Sequence, residues 1–227
     1  MSILPTKVIA GVSVPDTPLI SKAYQFAREN LDDFAFNHVV RSWLFGIFIG
    51  DNIPPFQGRD VELHSIAALL HDLGWSKSPE IISKDKRFEV DGANAAREFL
   101  IREGKKAEWD QHRLQLAWDA VALHSTLSIA MHKEPEVQCC MVGIVSDFTG
   151  PEKSPGGVLT REVWSGVVKE YPRSGFKDGV IEVMCGFCKT KPDTTYDNIA
   201  GEFGAKFVEG YRVVGPTAVD TTLAMED

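Results

Sequence analysis

Apolar residues recur at three- and four-residue steps along most of this chain, and strict alternation is weak throughout. That period is the helical one, so the pattern predicts an all-α fold. From Thr17, the positions Leu19, Ile20, Ala23, Tyr24, Ala27 and Leu31 trace one face of a helix. A second helix is expected from Phe34 to about Gly50, with Val39, Trp43, Leu44, Ile47 and Phe48 apolar and Asp51-Asn52-Ile53-Pro54-Pro55 ending it. Residues 60–73 read as a third, strongly apolar helix stopped by Gly74, and 88–102 as a fourth closed by Gly104. Residues 109–124 form a long amphipathic pattern with Leu114, Leu116, Ala117, Ala120 and Val121 inward. Pro135 fits the first turn of a helix over 136–148, and two or three shorter helices fit 160–208. The polar connector 75–87 contains Pro79, and the loop from Gly150 to Gly157 is placed as an active-site rim. The expected organisation is an irregular arm over 1–16, one helical domain over 17–214 and an aperiodic tail over 215–227.

With 227 residues and 44% hydrophobic content, the chain can bury a substantial core in one domain. Its formal charge of −8 argues against a dedicated binder of nucleic acid or of anionic membranes. The longest apolar stretch, around Trp43 to Ile49, is too short for a membrane span, and residues 1–7 lack the pattern of a signal peptide. A cytoplasmic location is therefore expected, with the nucleus as the alternative. The four cysteines are Cys139, Cys140, Cys185 and Cys188. Cys185-x-x-Cys188 has the spacing of a redox or zinc motif, but no second pair completes it, so all four read as core thiols.

Candidate chemistry centres on His71-Asp72, which follows the apolar run Ala67-Ala68-Leu69-Leu70. The adjacent imidazole and carboxylate can be completed by an upstream histidine, His38, and a downstream aspartate, Asp147. Such nitrogen and oxygen donors suit one divalent ion, zinc first and iron or manganese as alternatives, and leave room for an activated water. His38 and Arg41 are three residues apart and share a helix face. His64, seven residues before His71, reads as a satisfied structural histidine, and His112 and His132 as exposed.

The order His38, His71-Asp72, Asp147 resembles that of the HD-domain superfamily, whose helical bundle holds a divalent metal between its central helices. Within it, the chain is similar to the fungal cyanamide hydratase-like HD proteins. The segments carrying that resemblance are Phe36-Asn37-His38-Val39-Val40-Arg41, Phe88-Glu89-Val90-Asp91-Gly92, Leu123-His124, Val145-Ser146-Asp147-Phe148 and Tyr171-Pro172-Arg173-Ser174-Gly175-Phe176. The chain departs from that group at Trp75, Asp91 and Ser125-Thr126.

The resemblance implies a metal-dependent hydratase or hydrolase adding water to a small nitrile-like compound, with cyanamide converted to urea as the named candidate. It implies His38, His71, Asp72 and Asp147 as ligands. Asp72 would also orient or deprotonate the water, His124 would shuttle a proton, and Glu89 would support the substrate or a ligand. Trp75, Phe88 and Asp91 are the candidate substrate-binding residues. A small-molecule substrate and a homo-oligomeric state are expected. The alternative is an HD phosphohydrolase acting on nucleotides or other phosphomonoesters, for which Arg41, Lys77 and Lys84 are the available cations. A two-metal oxygenase would need two more histidines, and only His124 falls in a matching context.

Overall fold

A two-stranded antiparallel hairpin opens the fold in this computed structural model, which describes residues 4–213, 215 and 218–226. Strands β1 (Thr6–Ile9) and β2 (Val12–Pro15) pair with Ile9 opposite Val12. The two-residue turn, Ala10-Gly11, has positive φ at both positions, as the twist of a tight hairpin demands. Within the arm expected to be irregular, the described residues 6–15 therefore form a hairpin. Ala10 supplies none of the usual Asn or Asp signal for such a turn, and the alternation is confined to Val12 and Val14, which are buried.

Eight helices follow in the first of two compact units, which contains the described residues up to Ser83 and Phe88–Phe176. They are α1 (Pro18–Asn30), α2 (Asp33–Asn52), α3 (Val61–Leu70), α4 (Phe88–Glu103), α5 (Gln111–Ala122), α6 (Leu127–Ala130), α7 (Pro135–Thr149) and α8 (Arg161–Glu170). Side-chain caps start several of them: Thr17 Oγ1 accepts from the Ile20 amide, Asp60 from Leu63 and Asp110 from Arg113. The second unit contains Lys84–Arg87 and the described residues from Lys177 onward. It carries α9 (Phe176–Thr190, whose first residue belongs to the first unit), α10 (Ile199–Phe207) and the short α11 (Ala218–Leu223). Within it the Cys188 thiol donates to the Ala200 carbonyl at 3.1 Å, and Lys191 Nζ to the Lys86 carbonyl at 2.9 Å. The tail, expected to be aperiodic, contains α11, and its residues 218–223 are exposed.

The first unit is organised around α2, which is buried on nearly every side from Ala35 to Gly50 and packs most extensively on α7. The crossing is close because glycine stands there. A Cβ on Gly143 would lie 2.3 Å from the Ser42 carbonyl oxygen and 2.8 Å from the Gly46 amide nitrogen. One turn along each helix from that contact stand His38, four residues before Ser42, and Asp147, four residues after Gly143. The backbone approach thus sets the spacing between two site residues.

Two helices end short of their expected limits, and for the same reason. Helix α3 stops at Leu70 and α5 at Ala122. Just past each end a histidine turns back: His71 Nδ1 lies 2.8 Å from the Ala68 carbonyl oxygen, and His124 Nδ1 lies 2.6 Å from that of Val121. The side chain takes a carbonyl that the helix would otherwise use, and a 3₁₀ turn, Leu73–Trp75, follows Asp72. Gly74 lets this turn lie on α4, since a Cβ there would fall 2.0 Å from the Phe88 carbonyl oxygen.

Candidate metal centre

Three histidines and two aspartates meet inside the first unit, all essentially shut off from solvent. The hydrogen bonds fix the imidazole tautomers. A carbonyl oxygen only accepts, so Nδ1 of both His71 and His124 carries the proton. Nδ1 of His38 donates to Asp147 Oδ2 at 2.7 Å, by the same reasoning. With Nδ1 so engaged, Nε2 is the atom that each ring turns toward Asp72. The distances to its carboxylate are 3.1 Å from His71 and 3.5 Å from His38, both to Oδ2, and 3.5 Å from His124 to Oδ1. The Nε2 atoms of His38 and His71 are 3.3 Å apart.

Apart from these imidazoles, neither Asp72 oxygen has a hydrogen-bond partner. Such a convergence of buried imidazole nitrogens and a carboxylate is satisfied by a cation. His38, His71 and Asp72 each offer a ligand atom within 4.8 Å of the others, and this cluster can hold one divalent metal.

Asp147 is placed differently. Arg41 engages it bidentately, Nε to Oδ1 at 2.8 Å and Nη2 to Oδ2 at 2.7 Å, and His38 Nδ1 adds a third bond. Arg173 Nε stands 3.8 Å from Oδ1. Burial acts to raise the Asp147 pKa, but the bonds from His38 and Arg41 overcome it and hold the group at about 2. For Asp72, burial again pushes upward and the neighbouring imidazoles, His71 foremost, pull the pKa below its usual value. Burial lowers the pKa of both His38 and His124, which keeps their rings neutral.

Arg41 is itself locked in place: its Nη1 donates to the carbonyls of Tyr171 at 3.2 Å and Pro172 at 2.9 Å. Asn37 Nδ2 reaches the Pro172 carbonyl at 3.3 Å. The segment Tyr171–Phe176, one of those that carry the resemblance in the sequence, is thereby drawn onto α2, and Phe176 stacks on the His38 ring with centroids 4.7 Å apart. Trp75 stacks on the same ring at 5.9 Å, and Phe148, half-exposed, meets it edge-on at 5.2 Å. Phe88 contacts the His124 ring at 5.8 Å. Glu89 is buried, accepts from Ser125 Oγ at 2.6 Å, and exerts its charge on His124. Asp91 accepts from the Ser83 amide at 3.1 Å, which ties the 75–87 connector to α4.

The remaining candidates lie elsewhere. His64 is buried with its Nδ1 accepting from Arg59 Nε at 3.2 Å, and its pKa is driven well down, first by burial and then by Arg59. His112 and His132 are exposed. Cys139 and Cys140 are buried on α7, and burial pushes the Cys139 thiol up to about 12. Among the described residues no helix is long and apolar enough to cross a membrane. Sequence reasoning did not find the pairing of Ser125 with Glu89, 36 residues apart, or the clamp of Arg41 on Asp147. The three-residue step from His38 to Arg41 was the only signal for the latter.

Compared with known families, residues 35–148 match the model described as HD domain, which is half of the chain. No curated protein gives a significant match.

Proposed function

The chain belongs to the HD-domain family, and on that footing we propose that it is a metal-dependent enzyme adding water to a small, uncharged nitrile-like compound, with cyanamide, converted to urea, as the first candidate. One observation favours an uncharged substrate: Arg41 and Lys77, two of the cations available to a phosphate, are already engaged elsewhere. Arg41 is fully buried and saturated by Asp147 and two carbonyls, and Lys77 pairs with Asp32 at 2.6 Å while 82% exposed. A phosphoryl group would need such cations aimed at its oxygens. The rings around His38, those of Trp75, Phe148 and Phe176, offer apolar faces instead.

His38, His71 and Asp72 hold one divalent ion in this reading, zinc first. Bound there, the ion supplies Lewis acidity and lowers the pKa of a water it carries to roughly 7. Asp72 would orient the attacking water and take up its proton. Glu89, fixed by Ser125 beside His124, would relay that proton to the nitrile nitrogen, and the hydroxyl proton of the isourea so formed would follow to complete the second amino group of urea. Trp75 and Phe176 both stack on the His38 ring and screen it from bulk water.

The test is urea formation from cyanamide by metal-replete protein, with His71→Ala as control and p-nitrophenyl phosphate in parallel. Urea released by the parent protein and lost in the variant is the expected result. Phosphate release without urea would overturn the hydratase reading. Loss of that release in Arg173→Ala would then identify the half-exposed Arg173, which lies over Phe176, as the phosphate handle.

A further inference from the structure

His38, His71 and Asp72 are closed to solvent, so a molecule reaches them only when a covering side chain gives way. Three aromatic rings lie against His38: Phe176, Phe148 and Trp75. Phe176 is buried beneath two guanidinium groups, Arg41 at 5.1 Å and Arg173 at 5.5 Å. Trp75 is held differently. Its backbone is fixed: the amide donates to the Asp72 carbonyl at 2.8 Å, and Gly74 before it leaves no room for a Cβ against the Phe88 carbonyl. Its indole lies among rings, with Phe34 at 6.3 Å, Phe88 at 6.4 Å and His38 at 5.9 Å. The indole Nε1 has no hydrogen-bond partner among the described residues, so the ring turns about its side-chain bonds without breaking a polar contact. The same indole lines a cavity of about 190 Å³ between the end of α1 and the connector, together with Glu29, Asp32, Ser76, Lys77 and Ser78. The exposed Lys77–Asp32 ion pair, 2.6 Å long, joins the two sides of that cavity.

We propose that Trp75 is the specificity-determining residue of the site, a gate between this cavity and the metal cluster that passes only molecules of a few heavy atoms. The size limit follows from the space outside the gate. A cavity of about 190 Å³ is smaller than the ~300–1,000 Å³ pockets that enclose drug-sized ligands. The charge preference follows from its walls. Glu29 and Asp32 outnumber Lys77 along them, a balance that repels phosphate anions and tolerates an uncharged molecule, while Ser76 and Ser78 supply neutral polar side chains. Phe148 also touches His38, but it is not among the residues that line the cavity. Trp75 is a departure from the group that the chain resembles, so the selection it imposes belongs to this protein. The inference rests on the proposed function for its substrate class and on the metal cluster for the destination of that substrate.

The experiment uses the full chain loaded with zinc, as the parent protein and as Trp75→Ala, Trp75→Phe and Phe148→Ala. One readout is kcat/KM for cyanamide and for N,N-dimethylcyanamide, with urea and dimethylurea separated by chromatography. The other, independent of activity, is the rate of zinc transfer to a chromophoric chelator. The parent should favour cyanamide by about 100-fold or more, and Trp75→Ala should shrink that ratio by about 10-fold or more. Zinc should leave Trp75→Ala about 10-fold faster than it leaves the parent. Trp75→Phe, which keeps a ring in place should the alanine variant fold poorly, should fall between the two on both readouts. Phe148→Ala should leave the ratio at the parent's value, whatever it does to activity. Relaxed selection in Phe148→Ala but not in the Trp75 variants would overturn the proposal and place the entrance at α7. An equal loss on both substrates in the Trp75 variants would overturn it as well, leaving Trp75 a packing residue. If no protein makes urea, the proposed substrate fails by itself and zinc release decides the gate: faster release from Trp75→Ala than from Phe148→Ala supports it, and equal rates refute it.

Discussion

Replacing Gly143 by alanine tests whether the backbone contact between α2 and α7 sets the metal centre. The new Cβ would stand 2.3 Å from the Ser42 carbonyl oxygen and 2.9 Å from Gly46 Cα, all rigid backbone. Ordinary contact at about 3.4 Å or more requires the helices to part by ~1 Å. Overpacking of this kind costs about 1–3 kcal/mol. The same displacement stretches the 2.7 Å bond between His38 and Asp147, one turn away, beyond hydrogen-bonding range. Loss of a charge-assisted bond adds about 1.5–3 kcal/mol. The sum is roughly 3–6 kcal/mol, equivalent to a fall in Tm of about 6–24 °C for a chain of this length. The assay is thermal unfolding of the metal-free protein, followed by titration with zinc against a competing chelator. Gly186→Ala is the internal control, because nothing lies within 4 Å of a Cβ there and alanine is the better helix former. A Gly143→Ala protein that melts with the parent and binds zinc equally well would refute the argument.

Two further outcomes follow from the buried charges. Metal-free protein should lose stability as pH falls below 6.5, because His38 and His124 take up protons there only when unfolded. It should lose about 2 kcal/mol more between pH ~4 and ~2 as Asp147 is titrated, and Asp147→Asn should make that second limb shallower while Asp72 still contributes to it; a Tm constant from pH 7 to 5 would contradict the first. Removing metal with a chelator should lower Tm by about 5–10 °C relative to protein held at a hundredfold excess over Kd, read by calorimetry at matched pH. No shift would mean that the cluster binds no ion in the folded state.

Helix existence was legible because the 3.6-residue period of a buried helix survives in any sequence that must hide one or more faces. Helix ends were less legible. The expected limits of α3 and α5 ran to residues 73 and 124, whereas the helices stop at Leu70 and Ala122. Periodicity cannot register an imidazole that captures its own helix's carbonyl. The hairpin escaped because Ala10, a residue that rarely takes positive φ, occupies its turn. In the site, the types and order of His38, His71 and Asp72 were enough to anticipate their clustering. What each donor faces was not, since that depends on Gly143 bringing Asp147 within reach of His38 and on Arg41 arriving at the same carboxylate.

The charge balance of the cluster explains why a buried arginine stands near a metal site without serving the substrate. An ionised aspartate removed from water costs several kcal/mol unless it is paired and hydrogen-bonded. Arg41 meets that requirement for Asp147, bidentately and with its remaining donor on two carbonyls, so Asp147 is at rest in the protein as it stands. Asp72 has no such cation. Its neighbours are the Nε2 atoms of three imidazoles, at 3.1 Å from His71 and 3.5 Å from His38 and His124. A single Arg41→Met substitution would leave the buried Asp147 carboxylate with His38 Nδ1, at 2.7 Å, as its nearest donor, and thermal unfolding should show a loss of about 3–5 kcal/mol.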